Sequence, residues 1–114
     1  MSDAAIPLDP TADLPPLSDV LLDDATVSQL FFDVGAVAEL LGVAVKHPGA
    51  RRAEDAPLTL DEACRALLAG TVAGVQLRYR HEREEWWDTL ARTPAGIRLI
   101  RISHTRALAA TGVR

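Results

Sequence analysis

The stretch RYRHEREEWWDTLARTPAGIRLIRIS, Arg78 to Ser103, decides the fold. It holds three of the chain's five aromatic residues, Tyr79, Trp86 and Trp87. Successive side chains of a strand point to opposite faces of its sheet, so adjacent tryptophans in a strand cannot both be core. VQLRYRHE (75–82) alternates apolar and polar residues, and EWWDTLAR (85–92) follows a charged turn near Glu82–Glu84. TPAG (93–96) has Pro94 at the second turn position and Gly96 at the end, and IRLIRIS (97–103) is a third strand. The pattern predicts a three-stranded antiparallel meander.

Four-residue turns of this kind often form three-residue hairpin loops with glycine in the left-handed region. On that reading Thr93 pairs with Ile97, Leu90 with Ile100 and Asp88 with Ile102. One face then carries Val75, Leu77, Tyr79, Trp86, Asp88, Leu90, Ile100 and Ile102, and packs on helices. The other carries Gln76, Arg78, Arg80, Trp87, Thr89, Ala91, Ile97, Leu99 and Arg101. Trp86 is core on this register. Trp87 stands outside among Arg78, Arg80 and Arg101, with Ile97 and Leu99 beside it. Clustered exposed aromatic, apolar and arginine side chains mark contact surfaces. The structural alternative is a ring covered by arginine stems or by the N-terminal arm. A bulge at Trp86–Trp87 would exchange the two assignments.

Asp88 is the second anomaly, a carboxylate among aliphatic residues on the core face. Burial there requires a partner, for which Tyr79, His81, Ser103 or a helix N-terminus are the candidates. The functional counterpart is a pocket in which Asp88, Tyr79 and His81 act as the polar groups of an enzyme or small-ligand binder.

Residues 1–17 contain Pro7, Pro10, Pro15 and Pro16 and read as a flexible, proline-rich arm. Its Ile6, Leu8, Leu14 and Leu17 could fill grooves on a neighbouring subunit. Residues 18–114 read as one α+β domain. Ser18 is a candidate N-cap for one or two helical turns over SDVLLDD. Thr26 is a candidate cap for a helix with Val27, Leu30, Phe31, Val34, Val37, Ala38 and Leu41 on its apolar side. VAVK (43–46) could be a short strand, and HPGARRAEDAPL (47–58) is a loop. Thr59 caps a second helix with Asp61 and Glu62 in its first turn and Gly70 at its end. Cys64 reads as a small buried apolar group. The expected architecture is therefore N-terminal helices packed on one face of the C-terminal meander.

With 114 residues, 48% of them hydrophobic, the chain has room for one domain with an ordinary core. The net charge of −4 argues against a dedicated nucleic-acid binder, which is usually basic. Acids crowd the first third and arginines the last, so a local basic face is compatible with that total. The single cysteine excludes an internal disulfide. The opening MSDAAIPLDP lacks a basic region and an apolar run, and no stretch is long enough to span a bilayer, so the expected location is cytoplasmic. Phosphate-loop, dinucleotide, HExxH and CxxC patterns are absent, and neither cofactor nor metal is implied. His81 and His104 stand at two strand ends, which is thin support for a metal site.

These readings converge on a small non-catalytic accessory, assembly or regulatory protein that works by contact. Trp87 is its anchor, Arg78, Arg80 and Arg101 its charged rim, and Ile97 and Leu99 its apolar floor. The matching partner is a protein with an acidic surface, or a second copy in a homodimer. The rivals are the Asp88, Tyr79 and His81 pocket and a sheet platform for single-stranded RNA.

Overall fold

A computed structural model describes residues 17–104. The elements in order are β1 (Leu17–Leu22), α1 (Asp24–Val37), β2 (Glu39–Lys46), β3 (Glu54–Asp55), α2 (Leu60–Ala69), β4 (Gly74–His81), β5 (Glu84–Thr93) and β6 (Gly96–Ser103). All strands join one antiparallel six-stranded sheet in the order β1-β6-β5-β4-β2-β3. The fold remains α+β, but the expected three-stranded meander with N-terminal helices is corrected. Its strands β4, β5 and β6 form the middle of a larger sheet, flanked by strands drawn from the N-terminal half. The proline-rich arm expected over residues 1–17 lies outside the described residues, apart from Leu17, the first residue of β1. The last residues, 105–114, lie outside them too.

The segment expected as a helical turn after Ser18 is instead β1, paired with β6 along its whole length. This pairing satisfies the free edge of β6 with main-chain hydrogen bonds, which one or two isolated helical turns cannot match. Helix α1 starts three residues earlier than Thr26 would place it. Asp23 is the cap, its carboxylate accepting from the Thr26 backbone N–H at 2.8 Å. The helix stops at Val37, and Glu39–Leu41, expected as its last turn, begins β2. A bulge between Leu40 and Gly42 separates the two halves of the β2–β4 register. A side chain at Gly42 would come within 3.1 Å of the Arg78 guanidinium, so glycine there leaves room for that arginine.

Helix α2 follows its sequence signals. The Thr59 hydroxyl accepts from the Glu62 backbone N–H while the Glu62 carboxylate accepts from that of Thr59, and Gly70 ends the helix in the left-handed conformation. Both helices lie on one face of the sheet. The core between them and the strands is built from Val27, Phe31, Val34, Ala63, Leu67, Val43, Val45, Val75, Leu77, Tyr79, Leu90, Ile97 and Leu99.

The second hairpin corrects the register. Thr93 pairs with Gly96, not Ile97, leaving Pro94 and Ala95 as a two-residue loop. The Thr93 hydroxyl accepts from the Ala95 backbone N–H and donates to the Gly96 carbonyl, and Gly96 takes a φ of 142°. A shift of one residue turns every side chain of a strand over. Ile97, Leu99 and Arg101, expected on the outer face, are therefore buried on the helix-covered face. Arg98, Ile100 and Ile102 face outward.

Candidate functional site

The two faces of the sheet carry different polar groups. On the covered face Asp88 lies opposite Arg101 and is adjacent to Tyr79. The Arg101 guanidinium donates from Nε to Asp88 Oδ1 at 2.8 Å and from Nη2 to Oδ2 at 2.7 Å, a two-pronged fit. The Tyr79 hydroxyl adds a third donation to Oδ2 at 3.0 Å. Asp88 and Tyr79 are 0% exposed and Arg101 is 2% exposed. Burial, followed by the neighbouring Asp88 carboxylate, pushes the Tyr79 phenol well above its ordinary value. Burial works against the charge on Arg101, but its hydrogen bonds and attraction to Asp88 prevail and raise its pKa.

Asp88 is thus buried on the core face and hydrogen-bonded, and Tyr79 is one of the partners foreseen for it. The principal partner, Arg101, is the residue that the wrong register had placed outside. The expected pocket of Asp88, Tyr79 and His81 is not assembled: the first two are sealed from solvent and His81 bonds elsewhere. His81 Nδ1 lies 3.3 Å from the Val37 carbonyl oxygen, and Nε2 lies 3.5 Å from a Glu82 carboxylate oxygen. Among the described residues no three His, Cys, Asp or Glu side chains gather as a metal site. Burial pushes the Cys64 thiol up, away from nucleophilic use.

The outer face carries no described helix. Trp87 stands at its centre, half-buried, opposite Arg78 on one side and Ile102 on the other. Its ring stacks on His104 with centroids 4.7 Å apart and planes within 4°. The Arg78 guanidinium is 5.7 Å from the ring centre, and the indole N–H donates to Glu85 at 2.7 Å. Ile100 and Ile102 of β6 extend an apolar patch from Trp87, and Leu21 of β1 lies beyond the Asp19–Arg98 pair; Leu21 is 57% and Ile102 38% exposed.

The arginines of this face are paired within the chain. Arg98 grips Asp19 through two hydrogen bonds of 2.8 and 2.6 Å, Arg78 bonds Asp55, and Arg80 lies 3.9 Å from Glu39. The expected arginine-rich face is therefore charge-compensated. Arg78, Arg80 and Trp87 are where the alternation placed them, whereas Arg101, Ile97 and Leu99 are replaced by Arg98, Ile100 and Ile102. The signal that was missed is Asp88: a buried carboxylate selects the register that puts an arginine opposite it.

No family model, no curated protein and no solved structure matches the chain. No described helix is long and apolar enough to cross a membrane.

Proposed function

We propose that this chain is a non-catalytic contact protein whose outer sheet face docks against the same face of a second copy. One observation carries the reading. The helices and core occupy one face of the sheet, while the opposite face presents an apolar patch, Trp87, Ile102 and Ile100, with Leu21 beyond the Asp19–Arg98 pair. The charges around the patch point to self-association rather than to an acidic partner. Arg78, Arg80 and Arg98 are each matched by a carboxylate on the same face, so the central part of a second identical face meets no net charge there. With strands ~4.8 Å apart and about eight residues long, the face measures at most roughly 650 Å², near the ~800 Å² per partner of standard complexes. Sheets stacked this way lie ~10 Å apart with interdigitated side chains.

Sedimentation velocity across a concentration series tests this. The wild type is expected to move from monomer to dimer, and Ile102→Glu to remain monomeric at all concentrations. Ile102 is partly exposed and outside the core, so the substitution leaves the fold intact, which circular dichroism verifies. A wild type that stays monomeric throughout overturns the self-docking reading.

A further inference from the structure

We propose a second site, a cleft for a small phosphorylated ligand at the end of the outer face beneath the β2–β3 loop. It rests on residues outside the apolar patch of the docking proposal. The loop folds Arg51 and Arg52 over the ends of β4 and β5, where Lys46 adds a third cation to a lining without a carboxylate; Arg92 lines the cleft too, but its guanidinium turns to the helix-covered face. That is a local reversal in a chain with 16 acidic and 12 basic residues. Arg92 is committed elsewhere, donating to the Leu67 carbonyl at 2.7 Å at the end of α2. Lys46, Arg51 and Arg52 have no carboxylate partner among the described residues, unlike the arginines of the central outer face.

The floor supplies neutral hydrogen-bonding groups. The Gln76 side-chain amide donates to Thr89 Oγ1 at 3.3 Å, which leaves the hydroxyl proton of Thr89 free for an incoming oxygen. Gly74 and Ala91, directly paired across β4 and β5, keep the floor low. The cleft encloses about 330 Å³, the lower end of the ~300–1,000 Å³ range for small-molecule sites. A dianionic phosphate group with a modest substituent matches that volume and charge. Two arginines with planar donor forks are the side chains suited to its oxygens.

The test is a set of ¹H–¹⁵N NMR titrations of the full chain with inorganic phosphate and with adenosine 5′-monophosphate, ionic strength being held constant with sodium chloride. Saturable shifts centred on Gly74, Gln76, Thr89 and Ala91 are expected. They should weaken by at least about tenfold in Arg51→Gln/Arg52→Gln, since two charge-assisted hydrogen bonds are lost. They should be unchanged in Arg65→Gln, whose arginine pairs with Asp61 on α2. Tighter binding of the monophosphate than of phosphate would show that the cleft also reads the attached group. Equal binding would limit recognition to the phosphate. Shifts that do not saturate, that chloride reproduces, or that survive in the double variant overturn the proposal. So does preferential binding of single-stranded RNA with a steep salt dependence.

Discussion

Asp88–Arg101 and Asp19–Arg98 are the same pair of residue types in the same geometry, one on each face of the sheet. In each, Nε and a terminal nitrogen of the arginine donate to the two oxygens of one carboxylate, at 2.8 and 2.7 Å inside and 2.8 and 2.6 Å outside. Side-chain exposure separates them: 0% and 2% inside, 42% and 49% outside. Two charges withdrawn from water depend on each other, since removal of either leaves the other uncompensated. Two charges left in water gain little from meeting. Contact geometry alone therefore does not rank the pairs, and burial does.

The comparison breaks most visibly at Arg101. Arg101→Met leaves Asp88 buried with only the Tyr79 hydroxyl, and should cost about 3–5 kcal/mol in urea unfolding, much of the stability of a domain this size. The triple variant Tyr79→Phe/Asp88→Leu/Arg101→Met removes the three described polar members of the cluster and should recover most of that loss. A loss below about 1 kcal/mol in the single variant would mean that water reaches Asp88 and that the cluster is not sealed.

Tyr79→Phe sharpens the same contrast with a smaller effect. It deletes one hydrogen bond to a charged acceptor that Arg101 still holds, which should cost about 1.5–3 kcal/mol. Its pH signature is distinctive. The phenol pKa is raised in the folded state, so the stability it contributes is fully present below the unfolded value near 10 and is lost as pH rises above it. Between the two values, stability should fall by about 1.4 kcal/mol per pH unit. Urea midpoints of the wild type from pH 9 to 11 should show this limb, and Tyr79→Phe should lack it.

The two faces also differ in how legible they were. Alternation in 75–82 and 85–92 placed Trp86, Trp87, Arg78 and Arg80 on their faces, because those strands have one clearly apolar side. β6 has none. IRLIRIS offers Ile97 and Leu99 with Arg101 on one side and Ile100 and Ile102 with Arg98 on the other, so the turn had to decide, and TPAG is compatible with two loop lengths. Helix α2 announced itself through Thr59, Glu62 and Gly70, which are local signals. β1 did not, because it is held by β6 across the length of the domain. Asp19 and Arg98 are 79 residues apart, and SDVLLDD alone carries the marks of a helix start. The β2–β3 loop was recognised as a charged loop, but the cleft beneath it depends on where tertiary structure folds Arg51 and Arg52.

The smallest expected effect is the outer pair. Arg98→Gln removes both hydrogen bonds to Asp19, yet in the monomer, at concentrations below the proposed dimer transition, the pair is solvated and salt-screened. The melting midpoint should stay within the scatter of repeat measurements. The carboxyl of Asp19 should still report the loss. Hydrogen bonding from Arg98, opposed by slight desolvation and aided by its charge, holds the Asp19 pKa below the ordinary value in the folded wild type. A depressed carboxylate contributes stability above its unfolded pKa and loses it as pH falls through the folded one, so the contribution of the pair lies on the acid side. In Arg98→Gln the carboxyl resonance of Asp19 should titrate higher, near that of an unpaired aspartate, while the melting midpoint at neutral pH is unmoved. If that midpoint instead drops as far as it does in Arg101→Met, exposure is not what separates the pairs. The outer face would then be dry in solution, as it would be with a second sheet packed over Asp19 and Arg98.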